Sequence, residues 1–117
     1  MGATFTKAER LSGKAAYDRV FGEGRGFRCT RLTLIARPNG LGVSRLGLSV
    51  GRRVGGAVRR NRIKRVLREA FRLNKARLGV ACDVVLVPRR DWRDVCLGKI
   101  EHDFQQLLER VTQAFAD

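Results

Sequence analysis

In the sequence GLSVGRRVGGAVRRNRIKRVLREAFR, residues 47–72, the spacing of the apolar residues changes from that of a strand to that of a helix. Its first residues belong to a strand predicted over 46–50, and after the paired glycines the apolar residues return at the 3.6-residue spacing of a helix predicted over 57–73. The apolar positions of this helix are Ile63, Val66, Leu67, Ala70 and Phe71. They fall within one narrow arc, so the sequence predicts a helix with a single buried face.

The opposite face of the predicted helix is almost purely cationic. Residues 52–72 carry nine basic side chains and one acidic side chain, Glu69. The polar row on this face consists of Asn61, Arg65, Arg68 and Arg72, flanked by Arg62 and Lys64 and preceded by Arg59 and Arg60. Like charges four residues apart destabilise a helix, and a merely solvated face would mix Lys with Glu. Arginine binds phosphate bidentately, so the pattern favours nucleic-acid binding.

The whole chain is strongly basic. Its 117 residues contain 25 Lys and Arg against 11 Asp and Glu, a formal net charge of +14, which predicts a polyanionic partner. A hydrophobic fraction of 44% is enough for a core, so residues 1–117 are expected to form a single domain and not a disordered tail. The three cysteines show no CxxC spacing and are expected to be buried, reduced thiols. No apolar run is long enough for a membrane span, and we expect a cytoplasmic protein.

Four further elements are predicted outside residues 46–73. A short first helix with Ser12 as its N-cap is expected, and the glycines at 22, 24 and 26 are expected to break the chain after it. Strands are predicted over 30–36 and 80–87, the latter stopped by Pro88, and an amphipathic helix over 99–115. The chain has neither the Lys-Ser/Thr pair of a nucleotide-binding loop nor a carboxylate cluster. We therefore expect no catalytic residue, no metal ligand and no small-molecule substrate.

The stretch 47–72 closely resembles the signature of the bacterial ribonuclease P protein subunit. The core of the resemblance is the run from Arg60 to Arg65, followed by Arg68-Glu69. Arg10-Leu11, Tyr17 and Phe21 upstream, together with Asp83-Val84-Val85 and the last helix downstream, match the family in order and spacing. The resemblance therefore extends over essentially the whole chain.

The resemblance implies an α+β fold. The family has an α/β sandwich of three helices around a small mixed sheet, similar to ribosomal-protein domains. It also has a left-handed βαβ crossover that leads into the basic helix, although right-handed crossovers are by far the commoner kind.

The resemblance also implies a function. The partner RNA, which mainly binds the required Mg²⁺, would hydrolyse one phosphodiester at the 5′ end of precursor tRNA, and the protein alone would be inactive. The residues implied to contact the RNA subunit are Arg52, Arg53, Arg60, Asn61, Arg62, Lys64, Arg65 and Arg68. Tyr17 and Phe21 are implied to line a cleft for the single-stranded 5′ leader, where ring stacking tolerates any base. Strand 30–36 lacks the further aromatic residue that some relatives have there.

Three alternatives remain open at this point. Tyr17 and Phe21 could both be core residues that fill the interface between the first helix and the sheet. The chain could be a structural RNA-binding protein, such as a ribosomal component. It could also be a DNA-binding helix module, although no helix-turn-helix spacing is evident.

Overall fold

The computed structural model describes residues 5–89 and 97–116. The three α-helices are α1 (Lys14–Glu23), α2 (Ala57–Asn74) and α3 (Leu97–Ala114). The four strands are β1 (Arg25–Arg28), β2 (Leu32–Pro38), β3 (Arg45–Leu48) and β4 (Cys82–Pro88). Single 3₁₀ turns at Lys7–Glu9, Arg52–Val54 and Lys75–Arg77 complete the regular structure of the described residues.

The strands form one mixed sheet in the order β1-β2-β4-β3. β2 pairs antiparallel with both β1 and β4, whereas β3 and β4 are parallel, with Leu46 opposite Val84. The connection from β3 through α2 to β4 is therefore a βαβ unit, as the resemblance implies. Three helices around a small mixed sheet confirm the predicted α+β class. The left-handed sense of the crossover stays a prediction from the resemblance.

The main core lies between the sheet and the two long helices. Alternate residues of β2, beginning with Leu32 and Leu34, are fully buried on this side, as are Val84 and Leu86 of β4. α2 and α3 pack against each other over the same face. The aromatic ring of Phe71 on α2 contacts that of Phe104 on α3 at 6.4 Å between centroids. Burial of these apolar side chains supplies the main favourable free energy of folding.

The opposite face of the sheet carries the shorter helix α1. Val20 of α1 is fully buried against Val85 of β4, and Leu11 completes this smaller cluster. Tyr17, Ile35 and Val87 pack at its margin and are partly exposed. A ten-residue helix cannot cover the whole sheet, so part of this face stays open beside α1.

Two predictions about the first elements are wrong. Ser12 is not the N-cap, because Gly13 occupies that position with a φ of 88° and the helix begins at Lys14. That φ lies in the left-handed region, which favours glycine. The glycines at 22, 24 and 26 do not simply break the chain, since Gly22 lies within α1 and Gly26 within strand β1. Gly24 allows a close approach instead: a Cβ there would lie 2.4 Å from the carbonyl oxygen of Val20.

The other predicted elements are confirmed with small shifts at their ends. Pro88 does not stop the last strand but is its final residue, paired with Leu32. Cys82 is buried, and burial, aided by the charge of Asp83, raises the pKa of its thiol to about 11. Cys29 is half-buried, and Cys96 lies outside the described residues. No helix in the described ranges is long and apolar enough to cross a bilayer.

Candidate nucleic-acid interface

α2 begins after a glycine pair, of which Gly55 is required by the chain geometry. Gly55 has a φ of 145°, and a Cβ at this position would lie 2.6 Å from Cδ of Arg59. Gly56 is the N-cap, and its carbonyl accepts the first helical hydrogen bond, from the backbone amide of Arg60 at 2.9 Å. The arginines of the preceding 3₁₀ turn, Arg52 and Arg53, are both exposed beside this helix start.

The outward side of α2 has the composition that the sequence predicts. Asn61, Arg62, Arg65 and Arg68 are exposed, while Lys64 is half-buried. These five residues, with Arg60, are called the α2 basic face. Arg72 continues the row but forms an ion pair with Glu69. The α2 basic face is therefore a surface of positive charge, with acidic compensation confined to the end of the helix.

Arg60 has a donor that is poorly satisfied. Its Nε atom is buried and has no hydrogen-bond partner among the described residues, although the side chain as a whole is half-buried. A buried donor without an acceptor costs free energy. An anionic oxygen that approaches the start of α2 would remove this cost.

A large open cavity adjoins the start of α2, at the edge of the sheet where β3 and β4 end. Its volume is about 1020 Å³. It is lined by Thr30, Arg31, Ser49, Gly51, Arg52, Arg53, Val54, Val87, Pro88 and Arg89. Among the described residues, four arginines and no acidic side chain line this space, so we call it the arginine cavity. Such a lining concentrates positive potential in a concave surface and attracts polyanions.

Two arginines of the arginine cavity, Arg31 and Arg89, were not among the site residues predicted from the sequence. Arg31 precedes β2 and Arg89 follows β4, and the antiparallel pairing of Leu32 with Pro88 brings them to the same end of the sheet. Arg31 forms an ion pair with Asp103 at 3.0 Å, and Arg89 Nη1 donates to the carbonyl of Cys29 at 3.1 Å. In the sequence, the only indication that Arg31 and Arg89 belong to the site is their position at the ends of two predicted strands. The pairing register of those strands shows that the two residues lie close together.

A smaller groove of about 220 Å³ lies between α1 and α2. It is lined by Phe5, Arg10, Leu11, Tyr17, Leu46, Leu48, Lys64 and Arg68. In this groove Tyr17 lies beside Lys64 and Arg68. The resemblance assigns Tyr17 to the leader cleft, and Lys64 and Arg68 to the separate surface that contacts the RNA subunit. We call this space the Tyr17 groove. An aromatic ring beside two cationic side chains is an arrangement that can hold a nucleotide by stacking and by phosphate contact.

The Tyr17 ring is held firmly in place. Its hydroxyl accepts a hydrogen bond from the backbone amide of Leu48 at 3.1 Å. The ring lies directly on Gly47, where a Cβ would come within 2.8 Å of Cζ and the hydroxyl oxygen. Phe21, one turn further along α1, is 48% exposed and lines neither concavity. The alternative that Tyr17 and Phe21 are both core residues is therefore wrong for Phe21. It is partly correct for Tyr17, whose ring packs on the sheet.

The N-terminal segment forms one wall of the Tyr17 groove. Burial raises the pKa of Glu9, but hydrogen bonds from Lys75 and Thr6 outweigh it, so the pKa lies below its usual value. The ion pair with Lys75 ties this segment to the end of α2. The guanidinium of Arg10 lies 5.4 Å from the centroid of the Phe5 ring, which completes the wall.

The resemblance implies a Mg²⁺ ion, and clusters of ligating side chains in the described residues bear on where it binds. No three His, Cys, Asp or Glu side chains in residues 5–89 and 97–116 lie close enough together to hold a metal ion. The chain's single histidine, His102, is exposed on α3 and within hydrogen-bond distance of Gln106. Hard cations prefer several oxygen ligands, and carboxylates of the described residues do not cluster to provide them.

Comparison with known proteins decides the family. The family model described as Ribonuclease P matches residues 5–112, which include both concavities and the α2 basic face. The chain belongs to the ribonuclease P protein family. The ribonuclease P protein component of Thermotoga maritima is 35% identical over 115 residues, 95% of this chain and 98% of that protein. The component from Petrotoga mobilis is 38% identical over 114 residues, 94% of this chain and 97% of that protein.

Solved ribonuclease P proteins share the fold. The Thermotoga maritima protein superposes with a TM-score of 0.80 at 34% identity, with 87% of this chain and 96% of that chain covered. The Staphylococcus aureus protein superposes with a TM-score of 0.79 at 28% identity, with 89% and 95% covered. The α+β architecture of this ribonuclease P protein is therefore that of its family.

The contact between Gly47 and Tyr17 leads to a first prediction. We expect Gly47→Ala to displace the Tyr17 ring and break its hydrogen bond to Leu48, because the new Cβ would overlap the ring. Forced overpacking of this kind costs about 1–3 kcal/mol. Urea unfolding measures the loss, and Gly42→Ala is the matched control, since its Cβ would meet nothing within 4 Å. Equal stabilities of the two variants would contradict the packing described here.

Proposed function

We propose that the chain is the protein subunit of a cytoplasmic ribonuclease P, which removes the 5′ leader from precursor tRNA as a complex with a catalytic RNA. In this complex the protein binds both RNAs and screens their phosphate charges from each other. The observation that carries the proposal is the α2 basic face, together with family membership over residues 5–112. The proposal assigns RNA binding to the protein and hydrolysis to the RNA.

The contact with the RNA subunit is assigned to the α2 basic face and to Arg52 and Arg53. The exposure of Arg62, Arg65 and Arg68 supports this assignment, since their guanidiniums are accessible to phosphates. The unpaired Nε of Arg60 supports it as well. Bidentate arginine contacts would fix the orientation of the protein on the RNA, and they would not require a specific base sequence.

The 5′ leader is assigned to the open face of the sheet, between the Tyr17 groove and the arginine cavity. Val87 supports a continuous path, because it packs beside α1 and also lines the arginine cavity. Tyr17 and the exposed ring of Phe21 supply stacking surfaces, and Arg31 and Arg89 supply charge for phosphates. β2 contributes Ile35 and no aromatic ring to this face, so the path is less aromatic than in some relatives.

The hydrolytic step and its Mg²⁺ are assigned to the RNA subunit. The lack of a metal-binding cluster among the described residues supports this assignment. Phosphoryl transfer assisted by metal ions needs several close oxygen ligands, which RNA phosphates can provide. The protein would lower the Mg²⁺ requirement by replacing part of the ionic screening with fixed guanidinium groups.

The test is cleavage of a precursor tRNA by a bacterial ribonuclease P RNA, with Mg²⁺ titrated in the presence and absence of the protein. We expect accurate 5′ processing at low Mg²⁺ only when both components are present. Cleavage by the protein alone would overturn the assignment of the chemistry to RNA. No effect of the protein on a well-matched RNA would instead favour a structural RNA-binding role, such as that of a ribosomal component.

A second prediction concerns salt. If roughly six phosphates are neutralised, the logarithm of the binding constant for ribonuclease P RNA should fall with the logarithm of salt concentration at a slope of about −4 to −5. Filter binding at several potassium chloride concentrations measures this slope. A slope near zero would show that phosphate neutralisation does not drive the association. Tighter binding to duplex DNA than to the RNA at the same salt would favour a DNA-binding module.

A further inference from the structure

A second group of arginines lies at the outer edge of the sheet, away from α2. Arg25 and Arg28 are on β1, Arg110 is on α3, and all three are exposed. β1 is an edge strand because it pairs with β2 alone. Within residues 5–89 and 97–116, none of the three forms an ion pair with an acidic side chain. We call Arg25, Arg28 and Arg110 the β1 edge cluster.

Arg25 and Arg110 both approach the ring of Phe27, whereas the alternation of a strand places Arg28 on the opposite face of β1. The Cζ atoms of Arg25 and Arg110 lie 5.7 and 5.8 Å from the centroid of the Phe27 ring. Phe27 is buried and packs edge-on against Phe115 at 6.3 Å, so the ring is a fixed support. Neither guanidinium has an acidic partner in the described ranges, so each is available to a phosphate oxygen.

The β1 edge cluster adjoins the arginine cavity. Arg110 Nη1 donates to the carbonyl of Arg28 at 2.8 Å, and Arg89 Nη1 donates to the carbonyl of the next residue, Cys29, at 3.1 Å. Arg89 also lines the arginine cavity. The guanidiniums of Arg89 and Arg110 therefore both lie at the end of β1, where they bind the backbone of consecutive residues. Positive charge therefore continues from the cavity around the edge of the sheet.

We propose that the β1 edge cluster binds phosphates of single-stranded RNA that leaves the arginine cavity, so that the RNA path continues along β1. This inference rests on the proposed function, in which the cavity receives the 5′ leader. A path that turns around a sheet edge requires a flexible single strand. The ring that supports the cluster, Phe27, is buried, so the proposed contacts are to the RNA backbone and are independent of base sequence.

The proposal predicts an effect that depends on leader length. Precursor tRNAs with leaders of about four and about sixteen nucleotides span the range of single-strand site sizes. They would be bound by the holoenzyme assembled on a bacterial ribonuclease P RNA. The test variant is Arg25→Gln/Arg28→Gln/Arg110→Gln. The matched control, Lys7→Gln/Arg77→Gln/Lys99→Gln, removes the same charge from exposed positions outside both RNA surfaces.

We expect the test variant to bind the long-leader precursor about tenfold more weakly and the short-leader precursor nearly as well as the wild type does. Its salt slope with the long leader should fall by about 2, which corresponds to three lost single-strand phosphate contacts. The control variant should change neither affinity. Arg28→Gln alone covers the case in which the triple variant does not fold, because the Arg28 side chain forms no hydrogen bond or ion pair with the described residues. This single variant should bind the long-leader precursor about threefold more weakly.

Two results would overturn the inference and leave the proposed function intact. One is an equal response of test and control variants to leader length. The other is a loss that is the same for short and long leaders, which would place the β1 edge cluster on the RNA subunit. Failure of the wild-type protein to support cleavage of the short-leader precursor would instead overturn the proposed function itself.

Discussion

Replacing Arg65 and Arg68 together with glutamine is expected to weaken binding to ribonuclease P RNA about 100-fold. Each charge-assisted hydrogen bond to phosphate contributes at least about 1.5 kcal/mol, and two such losses give this factor. Both side chains are exposed on the α2 basic face. At limiting Mg²⁺ the reconstituted enzyme should lose most of its cleavage activity, and excess Mg²⁺ should restore part of it, because free cations then take over the screening of phosphates.

The same double variant should keep its fold. Neither Arg65 nor Arg68 forms a hydrogen bond or ion pair with another described residue, and removing like charges from one helix face relieves repulsion. Circular dichroism and the thermal midpoint should therefore be unchanged or slightly improved. Arg77→Gln/Lys99→Gln removes the same charge from exposed positions outside α2 and should bind RNA almost normally. Full cleavage by the Arg65/Arg68 variant at limiting Mg²⁺ would defeat the assignment of the α2 basic face.

Arg45→Met is expected to destabilise the protein by about 3 kcal/mol. Asp83 is only 2% exposed, and its carboxylate accepts from Arg45 Nε at 2.7 Å, from Arg45 Nη2 at 2.6 Å and from Asn39 at 2.9 Å. Removal of the guanidinium leaves a buried carboxylate with one neutral donor, which is costly. This loss of stability lies at the low end of the range for removing one partner of a buried ion pair, because the Arg45 side chain is 31% exposed and water can reach the site. Urea unfolding at pH 7 measures the loss.

Two controls separate the buried charge from the loss of a side chain. Arg45→Met/Asp83→Asn removes both charges and should recover most of the stability. Lys14→Met breaks the exposed pair with Asp18 and should change nothing measurable, since such pairs contribute little. A double variant as unstable as Arg45→Met would show that packing, and not charge, explains the effect.

The pH dependence of Arg45→Met should differ from that of the wild type. Burial raises the pKa of Asp83, but the hydrogen bonds and charge of Arg45, with Asn39, outweigh it and hold the pKa below its usual value. The stabilisation is therefore complete above about pH 4, the ordinary range of an Asp carboxyl, and is lost as pH falls through the lower native pKa. Without Arg45, only the hydrogen bond from Asn39 and the charge of Arg37 oppose the effect of burial, so the pKa of Asp83 rises and protonation becomes easier. The stability difference between the two proteins should shrink as pH falls from 7 toward 3.

Much of the fold was predictable because the spacing of apolar and polar residues within single elements indicates helices and strands. α2 and α3 each combine a long apolar stripe with a polar face, and the apolar run of β4 is continuous because that strand is buried at the centre of the sheet. β1 was missed, since four residues with a glycine and two exposed arginines have no pattern of their own. Its place in the sheet comes from pairing with β2, which no local rule supplies. Ser12 failed as an N-cap because the conformation of the next residue determined the start of α1.

The sequence alone determined the family, the α+β class and the cationic face of α2. Periodicity and charge are properties of neighbouring residues, and the signature around residues 60–65 is contiguous in the chain. Only the tertiary structure decided that Tyr17 lies beside Lys64 and Arg68, and that Arg31 and Arg89 meet Arg52 and Arg53 in one cavity. Those neighbours are far apart in sequence, and the register of β2 against β4, together with the packing of α1 and α2 on opposite faces of the sheet, brings them together.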